Sequence, residues 1–146
     1  MSLPAFNEFG DMPEGIYPHS LEETIALFGS GSAQRQEVTA RLMNICDLAV
    51  KTGRLDRIIV FGSYVTQKAD PDDVDVVLIM RDEFALADCP QESLVLFDHA
   101  RADAELGASV FWVRPAMLIV ETLEQFIAGW QLTRDYRRRG IVEIRP

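Results

Sequence analysis

The sequence predicts an α+β fold in which a mixed sheet is flanked by helices. Three observations carry this. Short apolar runs rich in β-branched residues alternate with stretches whose apolar residues recur every three or four positions. The link between the first two strands is short, and its glycine motif is only Gly62-Ser63 rather than a dinucleotide or Walker loop, so a doubly wound nucleotide fold does not fit. The chain of 146 residues is 48% apolar and 25% charged, enough for one domain, residues 1–146, with a core of its own.

Each element has a local cause. Residues 1–19, rich in Pro and Gly, read as an extended lead-in. Ser20 with Glu23 forms a capping box and predicts a helix from Leu21 to about Phe28. Ser32 caps a longer helix from Ala33 to about Lys51, with Val38, Leu42, Ile45, Leu48 and Ala49 on its core stripe and Gly53 at its end. Arg57 to Phe61 is a buried strand, Ser63 to Lys68 one or two helical turns, and Val74 to Met80 a second strand. Helical pieces follow near Asp82–Ala87 and Gln91–Leu106, separated by Pro90. Ser109 to Val113 reads as a strand, Thr122 to Arg134 as a helix, and Ile141 to Arg145 as the last strand.

The net charge is −9, which argues against nonspecific binding of duplex DNA, because such binding rests on neutralising many phosphates. The charge is unevenly spread. Asp70, Asp72, Asp73 and Asp75 crowd the middle, and Arg134, Arg137, Arg138, Arg139 and Arg145 lie near the C-terminus. An acidic and a basic focus in one small domain suit a metal and a phosphate. Cys46 and Cys89 stand in unrelated contexts, with neither zinc spacing nor a disulfide framework, so a reduced, cytoplasmic setting is expected. No leader pattern and no apolar run of membrane-spanning length is found.

The chemistry concentrates in "FGSYVTQKADPDDVDVVLIM", residues 61–80. Alternate strand residues share a face, so Asp73, Asp75, Val77 and Ile79 lie on one side and Val74, Val76 and Leu78 on the other. At ~3.3 Å per residue the two carboxylates leave the backbone roughly 6.6 Å apart. That spacing suits a hard cation such as Mg²⁺, whose ligand oxygens sit ~2.1 Å away. Without a cation, the two charges repel by roughly 3 kcal/mol at an effective dielectric of ~20. Gly62 lets the backbone approach a ligand, and Ser63 with the turn after it offers a hydroxyl and free amides. A nucleoside triphosphate with Mg²⁺ or Mn²⁺ meets both demands. Each half alone is commonplace, as a turn or a solvated strand end; the pairing across residues 64–72 is narrower.

The unit Phe61-Gly62-Ser63 … Asp73-Val74-Asp75-Val76 resembles the signature of the DNA polymerase beta-like nucleotidyltransferase superfamily. Beyond it, "MPEGIYPHSLEETIALFG", "GSYVTQKADPDDVDVV" and "RRRGIVEI" resemble a little-characterised bacterial and phage branch of nucleotidyltransferase-like proteins. The resemblance implies a nucleotidyltransferase-like fold, with Gly62 and Ser63 on the triphosphate and Asp73 and Asp75 as metal-holding catalytic carboxylates. Its active members carry a third carboxylate on the next core strand. Here that strand reads Ser109-Val110-Phe111-Trp112-Val113, with Ser109 at the expected position and Asp103 and Glu105 just upstream.

Lys68, Arg137, Arg138 and Arg139 are further candidates for phosphate contacts, against the alternative of a solvated lysine and of charges that simply favour a helix C-terminus. Trp112 and Trp130 are read as core residues or base-stacking surfaces, Tyr64 as packing or pocket-lining, and His19 and His99 as isolated surface or helix histidines. The expected function is transfer of a nucleotide from NTP to a hydroxyl of a protein, small molecule or RNA. The alternative is a catalytically degenerate relative that binds nucleotide or a partner within a two-gene regulatory or defence module. A sugar-nucleotide glycosyltransferase would share the Asp-x-Asp but leave Gly62-Ser63 without a role.

Overall fold

A computed structural model describes residues 5–146. Its centre is a five-stranded mixed sheet. The elements run β1 (Ile16–Pro18), α1 (Leu21–Phe28), α2 (Ala33–Val50), β2 (Leu55–Phe61), β3 (Val74–Met80), α3 (His99–Leu106), β4 (Ala108–Val113), α4 (Leu123–Gly129) and β5 (Ile141–Ile144). The strand order is β1-β5-β2-β3-β4; β5 and β2 pair antiparallel, as do β2 and β3, while the two outer pairs are parallel. No helix among the described residues is long and apolar enough to cross a membrane.

Alternation along β2 and β3 divides the apolar residues between two faces. Ile58, Val60, Val74, Val76, Leu78 and Met80 join Phe28 of α1, four residues of the α2 stripe (Val38, Leu42, Ile45, Ala49) and Ala102 of α3 in the larger core. Ile59, Val77 and Ile79 turn the other way and pack with Val113, Ile141 and Ile127 of α4. Asp75 continues the row of Val77 and Ile79, so the acidic pair belongs to the thinner, α4-covered side, where the sheet reaches solvent.

The caps of α1 and α2 form as their sequences require: Ser20 and Glu23 bond reciprocally, and the Ser32 hydroxyl accepts from the Arg35 amide. Four expectations are corrected. The lead-in is not merely extended, because β1 adds a parallel edge strand to β5 and Met12 is fully buried; its residues 1–4 lie outside the described residues. The Ser63–Lys68 stretch makes a single 3-10 turn, Ser63–Val65, because Thr66 leaves helical geometry at once. Gln91–Leu106 splits into a 3-10 segment, Gln91–Phe97, and α3, because Asp98 adopts an extended backbone and caps α3 by accepting from the Arg101 amide. The helix expected to reach Arg134 stops at Gly129, because tertiary bonds take over. Gln131 accepts from the Gly15 amide through its side chain, its carbonyl accepts from the Arg139 amide, and Leu132 bridges to Arg138.

Candidate functional site

The sheet register assembles the site. Phe61 pairs with Asp75 across β2 and β3, and Asp75 pairs with Ser109 across β3 and β4. The three residues therefore form one row with side chains on one face. Asp73, just before β3, places Oδ2 3.4 Å from the Ser109 hydroxyl, which donates to it. Ser109 thus stands beside both aspartates.

Gly62 leaves β2 with φ 80° and ψ −167°, a backbone state that only glycine adopts without strain. A Cβ built there would overlap the Asp75 Oδ2. Conformation and space both require glycine at this point, and the Gly-Ser turn lies directly against the second carboxylate. Gly62→Ala is expected to lower stability by about 1–3 kcal/mol through backbone strain alone and to push the Asp75 carboxylate out of place. A denaturant titration showing no loss would refute this account of the turn.

Gly62, Ser63, Asp73 and Asp75 line one cleft of about 580 Å³. Its basic side carries Arg134, Arg137 and Arg139. Its apolar wall is made by Phe61, Phe111 and Trp130, with ring centroids 4.7 Å apart for Phe61–Trp130 and 5.1 Å for Phe111–Trp130, and His99 against Phe111 at 4.8 Å. Among the described residues Arg134 has no ion pair, and neither Asp73 nor Asp75 is paired with a cationic side chain.

The electrostatics follow. Loss of water raises the Asp75 carboxyl to about 6; the neighbouring Asp73 charge adds to this, while Ser109, Arg134 and Arg139 oppose it. Asp73 is raised as well, first by partial burial; its Ser109 bond and Arg41 pull it back, and Asp103 and Asp72 push it up. The donor set of two carboxylates and a hydroxyl is hard oxygen throughout, which fits Mg²⁺ or Mn²⁺. Among the described residues no group of three or more His, Cys, Asp or Glu could hold a metal, so further ligands would have to come from phosphate oxygens and water.

The family match now bears on this geometry, since it covers residues 4–145 and so takes in every element of the site. The chain belongs to the family of unknown function DUF6932. Neither a curated protein nor a solved structure matches this DUF6932 chain.

Of the residues singled out from the DUF6932 sequence, Gly62, Ser63, Asp73, Asp75, Arg137 and Arg139 meet in the cleft. Lys68 lies in an adjoining groove that shares Ser63, Arg137 and Arg139 with it. Arg138 does not line the cleft, because its guanidinium donates to Glu14 and to the Ala128 carbonyl. Tyr64 packs, fully buried, with its hydroxyl 2.6 Å from that of Thr39. Trp130 faces the cleft, whereas Trp112 packs on Phe84 and Phe97. His19 is buried and outside any helix, whereas His99 opens α3 and lines the cleft.

Arg134 is a cleft residue that is not among the phosphate candidates, because the turn that aims it exists only once α4 ends early. The most consequential omission is Arg35. It is 6% exposed, and its guanidinium donates to the carbonyls of Phe28, Tyr64, Thr66 and Lys68. It binds the loop after Ser63 to the start of α2, where Ser32 Oγ donates to the Ala69 carbonyl and Gln34 to that of Pro71. A signal was present: an arginine in the first turn of a helix opposes the macrodipole and needs another reason to be there.

Proposed function

We propose that this protein binds a nucleoside triphosphate with Mg²⁺ or Mn²⁺ and transfers its nucleotide to an acceptor hydroxyl. The observation that carries the reading is the meeting of Gly62 with the Asp75 carboxylate in one cleft walled by arginines and aromatic rings. The resemblance to the DNA polymerase beta-like nucleotidyltransferases, and their fold, belong to the same proposal.

Asp73 and Asp75 would hold the metal, which supplies charge neutralisation for the phosphates. Ser63, Arg134 and Arg139 would take phosphate oxygens, and the exposed face of Phe111 with Trp130 would receive the base. In the transfer, the acceptor oxygen bonds to the α-phosphorus. The bond from that phosphorus to the oxygen bridging to the β-phosphorus breaks, pyrophosphate leaves, and the hydroxyl proton passes to water.

A second reading is nucleotide or partner binding without chemistry. It is favoured by Ser109, which pairs with Asp75 where a third carboxylate would be expected and has no negative charge to contribute. Calorimetric titration with Mg–ATP and the other triphosphates, wild type against the Asp73→Asn/Asp75→Asn protein, tests the shared part. Binding that the double variant retains in full would end both nucleotide readings. Labelled triphosphates incubated with candidate acceptors separate them: transfer lost in Asp75→Ala supports the enzyme. Arg134→Ala is expected to weaken Mg–ATP about tenfold, the effect of one charge-assisted hydrogen bond of about 1.4 kcal/mol; unchanged calorimetric affinity would remove Arg134 from the phosphate side.

A further inference from the structure

We propose that the Ser109 hydroxyl is itself an acceptor: the protein transfers one nucleotide to its own Ser109 and so blocks its cleft. The proposal rests on the nucleotide reading above and names an acceptor for it.

Three hydroxyl side chains line the carboxylate cleft, those of Ser63, Ser109 and Thr133. Among the described residues only Ser109 is bonded to one of the paired aspartates. Its Oγ donates to Asp73 Oδ2 at 3.4 Å, and its register partner across the sheet is Asp75. Thr133 is engaged within its own turn, where it donates to Asp135 and accepts from the Arg137 amide. Ser63 stands on the Gly62 turn, the phosphate seat itself. A hydroxyl beside a carboxylate that can take its proton is the arrangement of an activated nucleophile. Such bonds are commonly loose before substrate binds, as this one is.

The sheet sets the distance to be crossed. Phe61, which leads into the seat, and Ser109 lie on the two strands that flank β3, with Asp75 between them. Two strand spacings are about 9.5 Å. A triphosphate seated on Gly62-Ser63 and lying over the aspartates would therefore point toward Ser109. A carboxylate at this position would repel the phosphates, whereas a neutral hydroxyl can approach them. Ser109 is also half-buried in β4, so its backbone is held in place. A well-aligned tethered group acts at an effective concentration of about 10⁵–10⁸ M, an advantage that no diffusing acceptor shares.

In the step, Ser109 Oγ bonds to the α-phosphorus, and the bond from that phosphorus to the oxygen bridging to the β-phosphorus breaks. Pyrophosphate leaves with that electron pair. The hydroxyl proton passes to Asp73 Oδ2 and from there to water. The product is a phosphodiester whose nucleotide lies over the aspartates and excludes a second triphosphate, so the reaction stops after one turnover per chain.

Intact-mass and fragmentation mass spectrometry of the full chain incubated with Mg–ATP or Mn–ATP tests this. The expected result is a gain of one nucleotide monophosphate per chain, located on Ser109, with one pyrophosphate released. Ser109→Ala is expected to lose the adduct, and Ser109→Thr, which restores a hydroxyl, to keep it. Calorimetry supplies a readout of the product alone. The modified chain should bind Mg–ATP about tenfold more weakly than the unmodified one, and a phosphodiesterase that removes the nucleotide should restore the affinity. An adduct on Ser63 or Thr133, an adduct that survives Ser109→Ala, a gain of one phosphate in place of a nucleotide, or Mg–ATP bound in calorimetry with no adduct formed would each overturn the proposal. Mg–ATP that does not bind the unmodified chain at all would instead remove the nucleotide reading, and the role of Ser109 with it.

Discussion

Arg35→Ala is expected to destabilise the protein by about 3–5 kcal/mol, the loss seen when a buried, fully bonded charge is removed and its partners are left behind. The side chain donates five hydrogen bonds to four carbonyls, of Phe28, Tyr64, Thr66 and Lys68. Burial disfavours the charged guanidinium and lowers its pKa, with Tyr64 and Asp70 opposing this. The group stays charged nonetheless, since arginine titrates far above neutrality. Truncation would leave a void beside Tyr64 and carbonyls without donors. At about 2–4 °C per kcal/mol for a chain of this size, the melting temperature should fall by roughly 6–20 °C. Arg35→Lys keeps the charge but not the planar fork, so it should recover less than half of that loss. Thermal unfolding followed by circular dichroism measures both. A fall of only a few degrees for alanine would mean that water replaces the guanidinium and that the loop does not depend on it.

The functional expectation from the same contact is separable from stability. Residues 64–68 continue directly from Ser63, so the loop that Arg35 fixes includes the support of the proposed phosphate seat. Arg35→Lys, studied well below its melting temperature, should weaken Mg–ATP several-fold in calorimetry. Full affinity would show that Gly62-Ser63 holds its shape without the loop.

The sequence made the strands of the site legible because their signals are local. Val74–Met80 is apolar apart from Asp75, and the period of two placed Asp73 and Asp75 on the face that the structure gives them. The capping box of α1 was equally readable, since its partners lie three residues apart. What escaped depends on contacts distant in sequence. The strand β1 exists only because β5 offers an edge at residues 141–143, and α4 ends early because Gln131 is taken by Gly15 and Arg139. That early end turns Arg134 and Arg137 into the cleft and leaves Arg138 on Glu14. A run of three arginines cannot be sorted by spacing when the backbone under it is irregular. That β4 carries no acidic residue could be read from "SVFWV", but that Ser109 pairs with Asp75 rests on the parallel register of β3 and β4.

Asp75→Asn is expected to stabilise the metal-free protein at neutral pH while removing its proposed ligand. In the fold the Asp75 carboxyl titrates at about 6, raised chiefly by burial and secondly by Asp73; in the unfolded chain it titrates near 3.9. The folded state therefore binds the proton more tightly, and stability falls as pH rises between about 4 and 6. Above that window the whole penalty is present; below it, none is. The carboxylate is only partly buried, so solvent screening reduces the penalty to about 1–2 kcal/mol. Asparagine, of similar shape and uncharged, should raise the melting temperature by roughly 3–6 °C at pH 7.5 and by almost nothing at pH 4. Mg–ATP should reverse the order. At about 100 times its Kd, a ligand adds about 2.7 kcal/mol to the fold that binds it. The wild type should then gain several degrees and the variant almost none. A variant that melts lower than wild type at neutral pH without metal would make Asp75 a structural anchor, and a variant that Mg–ATP stabilises as much as wild type would take the carboxylate out of the binding site.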